Sequence, residues 1–187
     1  MLLSTVLQRF IMRVLIAVGI SVPIGGSTVT AQTTPDSASL QAIANLLVRF
    51  DASASAAGKL NAAARAALFT DSAIFINAFG GRVDGRAAID STWAALYGST
   101  AFDSSRIRLI DRQQRWLSPT LVLVDHVECL TGQRGPNSGR LLPPRKTHIT
   151  LLLRRQQNND WRITYYRAGD VRELPRAPSL CARDDAA

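Results

Sequence analysis

Ile43, Leu46, Leu47, Phe50 and Ala54 recur at the spacing of a helix that buries one face. Gly58 interrupts that pattern, and an alanine-rich stretch from about Leu60 to Leu68 reads as a shorter second helix. Beyond it the period changes. Ala73, Phe75 and Asn77 alternate with Ser72, Ile74 and Ile76, as a strand requires. Gly80-Gly81 then supplies a turn tolerant of positive φ, and Gly85 relieves the chain before a third helix carrying Ile89, Trp93 and Leu96 and ending near Gly98. After Ser99 only strand patterns remain: Arg106–Arg112, Thr120–Leu130, Lys146–Arg154 and Trp161–Arg167.

Ser118-Pro119 and Gln156–Asp160 are short polar turns, so neighbouring strands are expected to pair antiparallel. Thr131–Pro144 is a longer hairpin loop with three glycines and three prolines. Helices first and a sheet second define an α+β domain. The expected boundaries are a secretory signal at 1–31, a linker at 32–38, one domain at 39–172 and an irregular C-terminal tail at 173–187.

The signal rests on Arg9 and Arg13, the apolar run Val14–Val22, and the small residues Val29-Thr30-Ala31 before Gln32. The run is shorter than the ~20 residues of a comfortable membrane span. An uncleaved anchor is the alternative. Cleavage after Ala31 leaves 156 of the 187 residues, enough for one domain with a real core. It removes two arginines and no acid, lowering the formal charge from +8 to +6. The expected address is the periplasm or the exterior, with no stable membrane insertion after cleavage. Cys129 and Cys181 are the only cysteines, and their spacing leaves open both one disulfide and two thiols.

The helix, short strand, Gly-Gly turn and new helix start packed into Phe69–Ile89 resemble the opening of domains related to nuclear transport factor 2 (NTF2). More narrowly, the chain resembles the SnoaL-like group that includes the SgcJ/EcaC family. Phe69-Thr70-Asp71, Gly85-Arg86, Leu153-Arg154-Arg155 and Trp161-Arg162-Ile163 stand where that family carries related residues. It departs at Arg167-Ala168-Gly169, where relatives commonly carry His-Asn-Thr. The resemblance implies a cone-shaped α+β fold, with N-terminal helices packed in a curved antiparallel sheet and a pocket at its open end. Relatives include cyclases, isomerases and dehydratases, others that only bind, and dimers formed through the sheet.

Candidate chemistry is sparse. Neither HExxH nor CxxC spacing is present, and no P-loop, GxGxxG or GxSxG element occurs, so no metal or other cofactor is expected. Alternation groups Asp125 with Leu121, Leu123, Val127 and Cys129. A carboxylate on such an apolar face suits proton transfer, with Arg167 as its charge partner. The same pair would equally serve as a structural ion pair. Asn77, Trp93, Tyr97 and Tyr165 are candidate substrate-binding residues, able to wall a pocket or to pack a core. His126 and Glu128 share the other face, expected to look outward, and His126 would meet His148 if their strands pair. Arg106, Arg108 and Arg112 share parity, but without interleaved aromatics they read as a solvated face rather than a nucleic-acid surface.

The expected function is binding of a small, largely apolar molecule in the cone, with cofactor-independent acid–base activity left open. The alternative is a non-catalytic homodimer using the sheet face that carries Val122, Val124 and Tyr166.

Overall fold

Capping side chains set where the first two helices begin. In the computed structural model, which describes residues 35–55 and 61–171, α1 runs Ser37–Ser55 and α2 Ala62–Ala66. Asp36 opens α1, its carboxylate accepting from Ser39 N at 2.7 Å and Ser39 Oγ at 3.0 Å. This places the helix start inside the expected linker. Asn61 Oδ1 accepts from Ala64 N at 2.9 Å and caps α2. The expected signal and the tail from 173 onward lie outside the described residues.

The chain continues as β1 (Phe69–Ile76), β2 (Arg82–Asp84), α3 (Arg86–Tyr97), a 3-10 turn (Thr100–Phe102), β3 (Arg106–Ser118), β4 (Leu121–Thr131), β5 (Arg145–Arg155) and β6 (Trp161–Asp170). Gly85, at φ 89°, holds the left-handed corner between β2 and α3 and donates its N–H to Ala73 O at 2.8 Å.

One sheet holds all six strands in the order β2-β1-β6-β5-β4-β3. Its pairs are antiparallel except β1 with β6, which run parallel. The expected all-antiparallel sheet is therefore mixed. The turns that imply antiparallel neighbours are local, whereas β1 meets β6 across most of the domain. β3 also runs past its expected end, to Ser118, because bulges at Ile110 and near Leu117 break the alternation without breaking the ladder.

Ile43, Leu46, Leu47 and Phe50 of α1 pack on one side of the sheet against Val122, Val124, Ile149, Leu151, Leu153, Ile163 and Tyr166, all buried. Val122, Val124 and Tyr166 are thus core residues and supply no outer contact surface, which corrects the expected dimer face. Alternation sorts β4 into two faces but does not say which one the helices cover. Among the described residues no helix is long and apolar enough to cross a membrane.

Candidate functional site

The helix-covered side of β4 presents His126 and Glu128 after Val122 and Val124, and all four are buried. Phe50, in the last two turns of α1, meets the His126 ring edge-on with centroids 5.8 Å apart. Beside it, Asp51 receives two hydrogen bonds from Arg112 of β3: Nη1 to Oδ2 at 3.0 Å and Nη2 to Oδ1 at 2.5 Å. The bulge at Ile110 turns Arg112 to this side, opposite His126, while Arg106 and Arg108 stand opposite Thr131 and Cys129. The expected single row of arginines is therefore split between faces.

Arg112 also fixes the histidine. Its Nη2 lies 2.8 Å and its Nε 3.3 Å from His126 Nδ1. A guanidinium only donates, so Nδ1 accepts and the ring proton sits on Nε2. That nitrogen is 3.3 Å from Glu128 Oε2. Asp51, Arg112, His126 and Glu128 form one connected line from the edge of the sheet to the interior.

Arg65 approaches from α2. It is 1% exposed, with its guanidinium carbon 4.0 Å from the Phe50 ring centroid and 5.2 Å from that of Trp93. A cavity of about 360 Å³ lies among these elements. Phe50, Asp51 and Ala54 of α1, Arg65 of α2, Ile107, Arg108 and Leu109 of β3, and His126 and Glu128 of β4 line it. Burial pushes the phenols of Tyr97 and Tyr166 up; the Arg65 charge opposes this and the Glu128 charge adds to it. Both hydroxyls keep their protons at neutral pH. The arrangement offers a buried carboxylate aimed by an imidazole N–H, with a buried cation sharing the cavity.

Asp125 and Arg167 point the other way. Asp125 is on the outer face, its side chain 44% exposed, with His148 Nε2 at 3.4 Å and Thr150 Oγ1 donating at 3.2 Å. Arg167 is exposed, and Thr150 of β5 stands between the two in register. The expected pair does not form. His126 and His148 do not meet either, since His126 faces Ile149 and His148 faces Val127.

The four binding candidates separate. Asn77 shapes the β1–β2 turn, its Oδ1 accepting from the N–H groups of Phe79 and Gly81 at 2.9 Å each. A Cβ at Gly81 would sit 2.7 Å from Asn77 Nδ2 and push that amide aside. Trp93 is core, with Phe69 and Phe75 edge-on at 5.2 Å each. Tyr165 lies on the outer face opposite Leu152. Tyr97, edge-on to Phe102 at 5.1 Å, feels the charges of Arg65 and Glu128.

The inner residues His126 and Glu128 had a signal on the neighbouring strand. On β5 the apolar set Ile149, Leu151 and Leu153 contrasts with Lys146, His148, Thr150 and Arg154, and pairing carries that contrast onto β4. Arg65 had no such signal, because an arginine in a short alanine-rich helix reads as solvated.

No family model matches the chain, and no curated protein matches it. Solved structures do. An uncharacterised protein with a cystatin-like fold from Caulobacter vibrioides is 23% identical, with TM-score 0.61 over 72% of this chain and 90% of that one. An NTF2-like protein from Pseudomonas putida is 15% identical, with TM-score 0.59 over 79% and 96%. A ketosteroid isomerase-like protein from Erwinia carotovora is 15% identical, with TM-score 0.54 over 72% and 94%. The mixed six-stranded sheet, the helices on its inner side and these likenesses together show that the chain has the NTF2-like, cystatin-like fold.

Proposed function

We propose that the protein binds a small, largely apolar molecule in the cavity beneath α1 and moves a proton on it through Glu128, without a cofactor. The observation that carries this reading is the buried His126–Glu128 pair opening on a 360 Å³ cavity. Phe50, Ala54, Ile107 and Leu109 supply its apolar wall. A C–H made acidic by a neighbouring carbonyl would lose its proton to Glu128. Return of the proton to another carbon completes an isomerisation. This reading moves the acid–base role from Asp125 to Glu128, because Asp125 and Arg167 face away from the cavity. Export, supported by the pattern of residues 1–31, and membership of the SnoaL-like SgcJ/EcaC group, supported by Gly85-Arg86 and Trp161-Arg162-Ile163, belong to the same proposal.

Small β,γ-unsaturated ketones test it, since their conjugated products absorb strongly in the ultraviolet. Wild-type protein is expected to turn over at least one of them, and Glu128→Gln to lower kcat by roughly 10²–10⁴-fold with circular dichroism unchanged. A folded Glu128→Gln variant with the full rate overturns the assignment.

A second reading rests on the outer face. Leu123, Leu152, Tyr165 and Ile74 stand side by side across four strands there, each half-buried. A second copy of the chain would cover this row and form a homodimer. Light scattering is expected to give twice the chain mass, and Leu152→Arg to return it to a monomer. A monomeric wild type at all accessible concentrations removes the dimer and leaves the cavity reading intact.

A further inference from the structure

Arg65 is among the most buried side chains of the domain and is charged. Its Nε and Nη1 have no hydrogen-bond partner among the described residues. No ion pair joins it to a carboxylate among those residues either. Phe50 and Trp93 satisfy the face of the guanidinium, but a π-system does nothing for the N–H groups, which lie in the guanidinium plane. A buried cation with unanswered donors is costly to keep, and this one borders the cavity that Glu128 and His126 also line.

We infer that Arg65 is the anchor for the carboxylate of a small monocarboxylic ligand whose apolar body lies against Ile107 and Leu109. A planar carboxylate matches the planar fork of a guanidinium, although Nε and Nη1 are sealed from solvent in the protein alone, so the fork must turn toward the cavity to meet it. The charge balance of the cavity favours a single negative charge. Asp51 is already neutralised by Arg112, Arg108 adds a further cation to the wall, and the Glu128 carboxylate would repel a dianion such as phosphate more than a monoanion. The volume holds a carboxylate with a ring or short chain attached. The inference rests on the reading of this cavity as a ligand site and names the ligand class.

Calorimetric titration of the intact protein with benzoate, hexanoate, benzamide and inorganic phosphate tests it. Trp93, 5.2 Å from the guanidinium, provides a fluorescence signal in parallel. Benzoate and hexanoate are expected to bind at least about tenfold more tightly than benzamide, with phosphate weaker than either. Arg65→Met is expected to abolish that preference while keeping benzamide binding. Should Arg65→Met fail to fold, Ala54→Leu fills the cavity from α1 with Arg65 in place, and it is expected to abolish benzoate binding. Equal binding of benzoate and benzamide overturns the anion site and leaves the cavity reading standing, as does a folded Arg65→Met that keeps the preference. Carboxylate binding unchanged in Ala54→Leu places the anion elsewhere and also overturns it. Binding of none of the four probes overturns the carboxylate site, while retained ketone isomerisation in that case would show that the cavity reading survives.

Discussion

Asp125 and His126 are neighbours in the chain and occupy opposite sides of the sheet, one half-exposed beside His148 and the other sealed against Phe50. A one-residue change of parity thus moves a candidate acid from solvent to the interior. Asp36 shows residue-scale chemistry with a measurable pH consequence. The Ser39 backbone N–H, then the Ser39 hydroxyl, hold its carboxyl below the ordinary value of 3.8, against a small effect of burial and with help from Arg155. The folded group therefore titrates below the unfolded one. Its contribution is fully present above the ordinary value and is lost as pH falls through the lowered one. Asp36→Asn keeps an acceptor at the cap without the charge. It is expected to change Tm little at neutral pH and to flatten the acid side of the Tm–pH curve; identical acid slopes would show that the cap does not titrate.

At the scale of elements, the β2–α3 corner and the β1–β2 turn use adjacent glycines for different reasons. A Cβ on Gly85 would lie 3.4 Å from Asp71 O, which is ordinary contact, so the constraint there is the φ of 89°. Asp71 itself pairs with Arg86 at 2.6 Å across the same corner. Gly85→Ala is expected to cost about 1 kcal/mol in urea unfolding, through strain alone. An unchanged midpoint would mean that the corner relaxes. The bulge in β3 acts similarly on function: Ile110 adds the extra residue that swings Arg112 beneath α1, and Arg112 in turn fixes the His126 tautomer. Period-2 reading fails on β3 for that reason.

For the whole molecule, Cys129 carries a covalent constraint. This residue is buried on β4 and disulfide-bonded, while Cys181, the other cysteine of the chain, lies outside the described residues. A bond closing roughly 50 residues contributes ~3–4 kcal/mol in the chain-entropy model. Alkylation without reduction, read by mass spectrometry, is expected to label neither cysteine of protein purified without reductant. Two labelled thiols would overturn both the bond and the stability assigned to it.

The element order was legible in the sequence because it is local. The helical spacing of Ile43–Phe50, the Gly80-Gly81 turn and the apolar runs of β4, β5 and β6 each need only near neighbours to be read. The α+β class followed, and the local motifs around Phe69–Ile89 pointed to the NTF2-like fold. The site was not legible in the same way. Both faces of β4 are apolar enough to be core, so β4 read alone does not place Glu128 inside and Asp125 outside; its pairing with β5 and the packing of α1 decide it. The parallel β1–β6 pair and the burial of Arg65 depend on contacts between distant segments. The Arg65 guanidinium is packed between Phe50 and Trp93 only once distant segments are brought together, and that is a property of the tertiary structure.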